Sequence, residues 1–273
     1  MINRREIVVT YVILTAFAVL ALLPLAGVLT SALSAQGETS ASFTWPERPH
    51  WGNFSQAWRQ GDFASYLGSS ALVAVSVVVL TGVLAILAGY SFAYFSYPGR
   101  SLLFYVTLIG LMVPTEAFVI PLYFELRDLQ LTDTYWALIL PQTAQSLAFG
   151  TFWMRNFFRS VPRSVVEAAR LDGASSWQVL WRILVPASRP ALLTMTMLVF
   201  MWTWNEFLLP LVMITDESKR TAPLGLAFFQ GEHTTQFSLM AAASIIVALP
   251  VVVLYAFLQR HFMAGMLSGG VKG

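Results

Sequence analysis

An all-α protein embedded in a lipid bilayer is the fold class this sequence predicts, on three observations. Hydrophobic residues make up 57% of its 273 residues and charged residues only 11%, and the mean hydropathy is +0.66. Six apolar runs reach the length of a bilayer crossing. The basic residues gather on alternate connections between those runs. A water-soluble domain carries about 25% charged residues, so this surface does not face water all round. The formal net charge of +2 is too small an imbalance to argue for nucleic acid as a partner. Cysteine is absent, which excludes disulfide scaffolds, thiolate metal sites and cysteine nucleophiles. His50, His233 and His261 are far apart in sequence and suggest neither a zinc site nor a His-centred triad. No catalytic residue and no metal ligand are expected.

Taken in order, the spans are read at 7–29, 71–95, 102–124, 136–154, 191–213 and 237–258. Each supplies the roughly 20 residues that cross ~30 Å of hydrocarbon at 1.5 Å per residue. The first run is longer than a signal-peptide core of about 7–15 residues, and no A-x-A-like site follows it closely, so it is read as retained. With the N-terminus inside, the inner segments hold Arg4, Arg5, Arg100, Arg155, Arg159, Arg163, Arg170, Arg182, Arg189, Arg260 and Lys272. The outer segments hold only Arg48, Arg59, Arg127, Lys219 and Arg220. This bias predicts a multi-pass protein with both termini cytoplasmic. The acidic residues lean outward, and two of them, Glu116 and Glu206, fall within spans. No segment between spans is long enough for a soluble domain, so 1–273 reads as one transmembrane domain.

The inner connection 155–189 is the most informative. Ser164 stands three residues before Glu167, the spacing of a capping box, in which a hydroxyl caps one amide and a carboxylate returns to another. A short helix is expected to run from there to about Leu171, ended by Asp172-Gly173, since glycine tolerates the left-handed conformation of a helix stop. Ser175 and Gln178 repeat the capping spacing and start a second helix. Its Trp177, Leu180, Trp181 and Leu184 fall on one stripe, before Pro186 and Pro190 interrupt it. Physics alone leaves two readings of this helix–glycine–helix hairpin. It lies on lipid headgroups as an interfacial element, or its small residues at the bend enter a groove on a soluble partner.

Glu167-Ala168-Ala169, Gly173 four residues on, then nine intervening residues and Ile183-Leu184-Val185-Pro186 resemble the EAA loop of ABC importer permeases, with Val185 where leucine is usual. The likeness runs along nearly the whole chain. Pro114, Pro121-Leu122-Tyr123, Leu131-x-Asp133-Thr134 and Leu138-Ile139-Leu140-Pro141 look like the third and fourth spans of MalG-type permeases, the carbohydrate-import branch. Trp204-Asn205-Glu206-Phe207 with Pro210-Leu211 looks like the fifth, and Gly269-Gly270-Val271-Lys272-Gly273 like the ending. Ser69-Ser70 departs from the usual Asn-Ser.

The resemblance implies a type I ABC importer permease (MetI-like) fold of six transmembrane helices, with a peripheral first span at 7–29 and core spans over 71–258. It implies a transport subunit of a bacterial-type cell (inner) membrane, not an enzyme. ATP and Mg would be bound by a separate dimeric ATP-binding subunit, with no cofactor on this chain. A second, related permease would complete a heterodimer within the lipid, and an extracytoplasmic solute-binding protein would deliver the solute. Glu167, Ala168, Ala169, Asp172, Gly173 and Ala174 would meet the ATPase, with Ser164, Ser175, Gln178, Ile183 and Pro186 shaping the loop. Lys272 and Gly273 of the tail would reach the ATPase dimer too. The tryptophans of the outer loop 34–65 fit either contact with the binding protein or an aromatic belt at the interface.

Glu116 and Glu206 each lie about 15 residues, roughly 22 Å, beyond the start of their spans, at similar heights from which they could face one cavity. A carboxylate inside a span is a functional hypothesis by default. With Asn205, Trp204, Gln142 and Gln145 they would form a lining that suits sugars, whose hydroxyls hydrogen-bond while their C–H faces stack on aromatic rings. The alternative is that either carboxylate pairs with the partner permease or caps a broken helix near Pro114 or Pro210. A proton-coupled secondary transporter working through Glu206 and Glu116 is a rival function, and an importer of glycerol phosphate or a polyol is a variant of the first. No Arg sits in a span, which favours a neutral sugar over a phosphorylated solute.

Overall fold

The structure, a computed structural model, describes residues 4–36, 45–229 and 236–270. Lys272 and Gly273, and with them the expected tail contact, lie outside the described residues. The regular structure of the described residues is all helical, with no strand among them. In order they form α1 (Arg4–Leu33), α2 (Gly52–Gln60), α3 (Phe63–Tyr94), α4 (Arg100–Ile109), α5 (Thr115–Asp128), α6 (Trp136–Ser160), α7 (Arg163–Leu171) and α8 (Ser176–Gln178). A π-helical turn (Val179–Leu184) leads into α9 (Val185–Ala187), α10 (Arg189–Trp204) and α11 (Leu208–Met213); α12 (Ala222–Gly225) and α13 (Phe237–Gly270) follow.

Three helices are long and apolar enough to cross a bilayer alone: Glu6–Leu33, Phe63–Tyr94 and Phe237–Gln259. The expected span 102–124 is instead two helices, α4 and α5, with 110–114 between them. Pro114 has no N–H to continue α4 and sits in an extended conformation at the head of α5. The expected span 191–213 likewise stops at Trp204 and resumes at Leu208. The run at 136 extends past its expected end to Ser160, as one 25-residue helix. Its Gln142, Thr143, Ser146 and Thr151 are buried, so it meets protein rather than lipid along that face.

The chain divides into two compact units, Met1–Ala64 with Leu224–Pro250, and Ser65–Pro223 with Val251–Gly273. In the first, α1 is apolar and exposed for most of its length, as a lipid-facing helix is. Its end is tied down through carbonyls that a helix leaves without partners. The Asn53 amide donates to the Ala32 and Ser34 carbonyls, both at 2.9 Å, and the His50 N–H donates to that of Leu33 at 2.9 Å.

In the second unit α3, α6 and α10 carry the core. Gly89 and Gly150 let α3 and α6 approach closely: a Cβ on Gly89 would lie 2.8 Å from Met154 Cβ and 2.9 Å from the Arg155 backbone nitrogen. A Cβ on Gly150 would lie 2.8 Å from Ala85 Cβ. Where lipid tails are as apolar as the side chains, such close backbone approach supplies much of the association energy. At one end of α3 the Tyr94 hydroxyl donates to the Phe158 carbonyl at 2.9 Å and the Tyr90 hydroxyl to the Ser176 carbonyl at 3.2 Å.

Candidate functional site

The hairpin forms at 163–187. The expected first capping box does not. Val161 and Pro162 are both extended, Pro162 takes the N-cap position without a side-chain cap, and the helix begins at Arg163. Ser164 therefore sits inside the first turn, where its backbone is helical and lacks the extended geometry a cap needs. The second box is complete: Ser175 Oγ accepts from the Gln178 N–H at 3.3 Å, and Gln178 Oε1 accepts from the Ser175 N–H at 2.8 Å. Between them α7 ends in a Schellman motif, with the Ala174 N–H on the Ala169 carbonyl at 2.9 Å and the Gly173 N–H on that of Arg170 at 3.0 Å. Gly173 has a φ of +81°, a conformation that explains the glycine.

The two sides of this element differ. Val166, Val179, Leu180 and Leu184 are buried, while Ala169 and Ala174 pack against that core. Glu167, Ala168, Asp172 and Gly173 are exposed, and Leu171 at the apex is 89% exposed. Trp177, which the spacing puts on one stripe with Leu180 and Leu184, is exposed where they are buried, and stands edge-on to the half-buried Trp181 at 5.5 Å. The stripe shifts because residues 179–184 are π-helical, the Val185 N–H reaching the Leu180 carbonyl five residues back. Widening the turn also accommodates Pro186, which therefore does not end the segment. The break comes at Ser188, fully buried, where Ser176–Ala187 and Arg189–Trp204 meet at 75°. A notch of about 260 Å³ beside the apex is lined by Asp172, Gly173, Ala174, Gln178, Arg182 and Ile183.

At the other end of α10 lies a cavity of about 510 Å³ between α6, α10 and the 110–115 segment. Gln142, Gln145, Ser146, Asn205 and Glu206 supply its polar groups, Phe149 and Trp202 its aromatic faces. Gln145 Nε2 donates to Thr115 Oγ1 at 2.7 Å, and the rings of Phe149 and Trp202 meet edge-on at 4.9 Å. Glu206 caps the broken helix: its Oε1 accepts from the Leu209 N–H at 3.0 Å in the first turn of α11.

Two expectations fail here. Glu116 is exposed and does not line the cavity; Thr115 does, and the next residue of a helix points about 100° away. Trp204 is 3% exposed and stacks on Phe200 at 5.3 Å, while Trp202, two residues and about 200° away, faces the cavity. The carboxylate pair that a proton-coupled carrier would need is therefore not assembled in one cavity.

A third feature lies beyond the ends of α5 and α11. Asp133 has a φ of +60°, and its N–H donates to the Met213 carbonyl at 2.9 Å. Its Oδ1 accepts from the Thr215 and Asp216 N–H groups at 3.0 and 2.9 Å. These bonds, that from the Asp216 amide first, hold its carboxyl below the usual carboxylate range. The Asp216 carboxyl is pulled down to about 2 by the Ser218 hydroxyl and by Lys219, whose Nζ is 3.0 Å away.

Residues 82–267 match the family described as the binding-protein-dependent transport system inner membrane component. The chain belongs to this family. The matched stretch contains the cavity and the hairpin, and as a permease subunit the protein is a transport component rather than an enzyme. The permease is 32% identical over 271 residues to the diacetylchitobiose uptake system permease protein NgcG of Streptomyces coelicolor, covering 98% of this chain and 89% of that one. Its fold is that of a chain in a bacterial ABC transporter involved in the import of the acidic polysaccharide alginate, with a TM-score of 0.82 at 23% identity, over 96% of this chain and 99% of that one. It also matches a chain of the MetNI methionine ABC transporter at a TM-score of 0.51 and 15% identity, over 79% and 93% of the two chains.

Sequence reasoning missed Leu171, Trp202, Thr115 and Ser146. The signal for Leu171 was available, a large apolar residue directly before the helix stop. Trp202 needed the helical phase of α10 relative to α6, which no single-chain periodicity supplies.

Proposed function

We propose that this permease passes neutral saccharides across the inner membrane as one half of a heterodimer with a related permease. A solute-binding protein delivers the sugar outside, and a dimeric ATPase drives the cycle from inside. In this reading the chain crosses the membrane six times, α4 with α5 and α10 with α11 each making one broken crossing, and both termini are cytoplasmic. It folds as one transmembrane domain over 1–273, and it binds neither ATP nor Mg itself.

The observation that carries the reading is the hairpin: an exposed apex built by Glu167, Ala168, Leu171, Asp172 and Gly173, on a base fixed by a Schellman motif and a capping box. A buried underside with a projecting apolar tip suits insertion into a groove on a soluble partner. Saccharide as cargo is supported by the cavity's amides beside Trp202 and Phe149, and by the name of the diacetylchitobiose relative. Neutrality is supported by a lining with one carboxylate and no cation.

The test is co-purification from gently solubilised membranes with Leu171→Asp and Gly173→Trp variants beside the wild type. Wild type should bring down an ATP-hydrolysing subunit and a second permease, and both variants should lose the ATPase while keeping the second permease. Equal recovery of the ATPase in all three refutes the docking role.

A further inference from the structure

Seven of the arginines in the described structure, Arg100, Arg155, Arg159, Arg163, Arg170, Arg182 and Arg189, lie in segments read above as cytoplasmic. None takes part in the ion pairs found among the described residues, which are Arg127–Asp128, Lys219–Asp216 and Arg220–Glu217. Three of the seven converge where α4 and α6 pack. The Arg155 guanidinium lies over the Phe104 ring, 3.8 Å from its centroid, and its Nε is buried with no hydrogen-bond partner. Arg100 is one helical turn before Phe104 on α4, and Arg159 one turn after Arg155 on α6. Arg159 and Arg100 both repel the Arg155 charge, and the Arg100 guanidinium is itself held by a donation from its Nη1 to the Phe95 carbonyl at 2.8 Å. Gly89 of α3 packs against the Arg155 backbone nitrogen from behind, so the position of this group is fixed by the helix seam.

The surroundings say what kind of anion this is. Leu102, Leu103, Tyr105 and Val106 of α4, flanking the cluster, are all more than half exposed. Arg155 stands about 6 Å, one turn, further into the membrane than Arg100 and Arg159. A soluble acidic surface would leave that apolar face uncovered and would have to reach a recessed cation. A lipid fulfils both conditions, its phosphate among the guanidinium groups and its acyl chains along α4. Basic pockets between membrane helices on the cytoplasmic side are known to hold anionic headgroups.

We propose that Arg100, Arg155 and Arg159 form a binding site for the phosphate headgroup of an anionic phospholipid of the inner leaflet. The depth of Arg155 and the placement in that leaflet both rest on the crossings and topology proposed above; the arginine cluster itself does not.

The test is native mass spectrometry of the assembled importer purified in mild detergent and titrated with cardiolipin, phosphatidylglycerol or phosphatidylcholine. Wild type should hold an anionic lipid in preference to phosphatidylcholine. Arg159→Gln and Arg100→Gln should each weaken that retention about fivefold and the double variant more than tenfold, whereas Arg48→Gln in an outer segment leaves it unchanged. Arg155→Gln should abolish it, and the two shallower variants keep the test valid if Arg155→Gln misfolds. Sodium phosphate that displaces the lipid completely would identify a free anion as the natural occupant and overturn the proposal. So would unchanged retention in the double variant, or cross-links from position 159 to an ATPase subunit with no lipid bound. Because the chain has no cysteine, Ser160→Cys labelled by a membrane-impermeant maleimide reports separately which side the cluster faces. A wrong topology is thereby distinguished from a wrong ligand.

Discussion

Replacing Gly89 by alanine tests the packing of α3 on α6, the helix that carries Arg155 and one wall of the cavity. The added Cβ would lie 2.8 Å from Met154 Cβ, 2.9 Å from the Arg155 nitrogen and 3.1 Å from the Met154 carbonyl carbon. Ordinary carbon contacts are about 3.5–4.0 Å, so α3 and α6 must separate by roughly 0.5–1 Å. Two of the three opposing atoms are backbone and cannot rotate aside. Overpacking of this kind costs about 1–3 kcal/mol, and alanine returns at most ~1 kcal/mol of helix propensity. The net expectation is a loss of roughly 1–2 kcal/mol. Gly82, seven residues earlier on the same helix, supplies the control, because a Cβ there meets nothing within 4 Å. Gly82→Ala should be neutral or gain up to ~1 kcal/mol. The assay is reversible unfolding of the purified permease in mixed micelles, followed by tryptophan fluorescence. If Gly89→Ala is as stable as Gly82→Ala, helix contact at this seam does not set stability, and the argument for a tight α3–α6 joint fails.

Ser175→Ala should destabilise the hairpin by ~1 kcal/mol through loss of a working cap, while Ser164→Ala, whose hydroxyl caps nothing, should change little; hydrogen exchange of the 175–180 amides separates them. The Asp133 and Asp216 carboxyls are both depressed in the folded protein, so the stability they contribute is present above the ordinary carboxylate range and is lost as pH falls toward Asp216's value of about 2. Exchange protection of the Thr215 and Asp216 amides should therefore hold from pH 7 to about pH 4 and collapse only below it; loss near pH 5–6 would contradict the clasp.

How much of this was visible in the sequence depended on whether the signal was local. The hairpin was legible, because capping spacing and a helix-stopping glycine act within a few residues: the Ser175–Gln178 box and Gly173's positive φ are where the spacing puts them. The first box failed for an equally local reason, Pro162 fixing the helix start one residue ahead of Ser164. The long apolar helices were legible from hydropathy. The breaks at 110–114 and 205–207 were not, since both lie inside apolar runs that a window average passes over. The cavity was half legible. Asn205 and Glu206 are on its wall, but Trp204 and Glu116 are turned away by a phase that only α6 and the α4–α5 break determine. The Asp133 clasp joins residues some eighty positions apart, beyond any reading of spacing.

The bend at Ser188 makes the hairpin and α10 two arms of a bell crank. One arm, 176–187, ends near the apex; the other, α10, runs about 24 Å at the helical rise and ends where Asn205 and Glu206 face the cavity. If the joint is stiff, as its fully buried pivot and its 75° angle suit it to be, a swing of about 10° at the hairpin arm moves the cavity wall by roughly 4 Å. A displacement of that size exceeds the width of a water molecule. A push on the hairpin is thereby turned through a corner and delivered as a change of bore at the far end of α10.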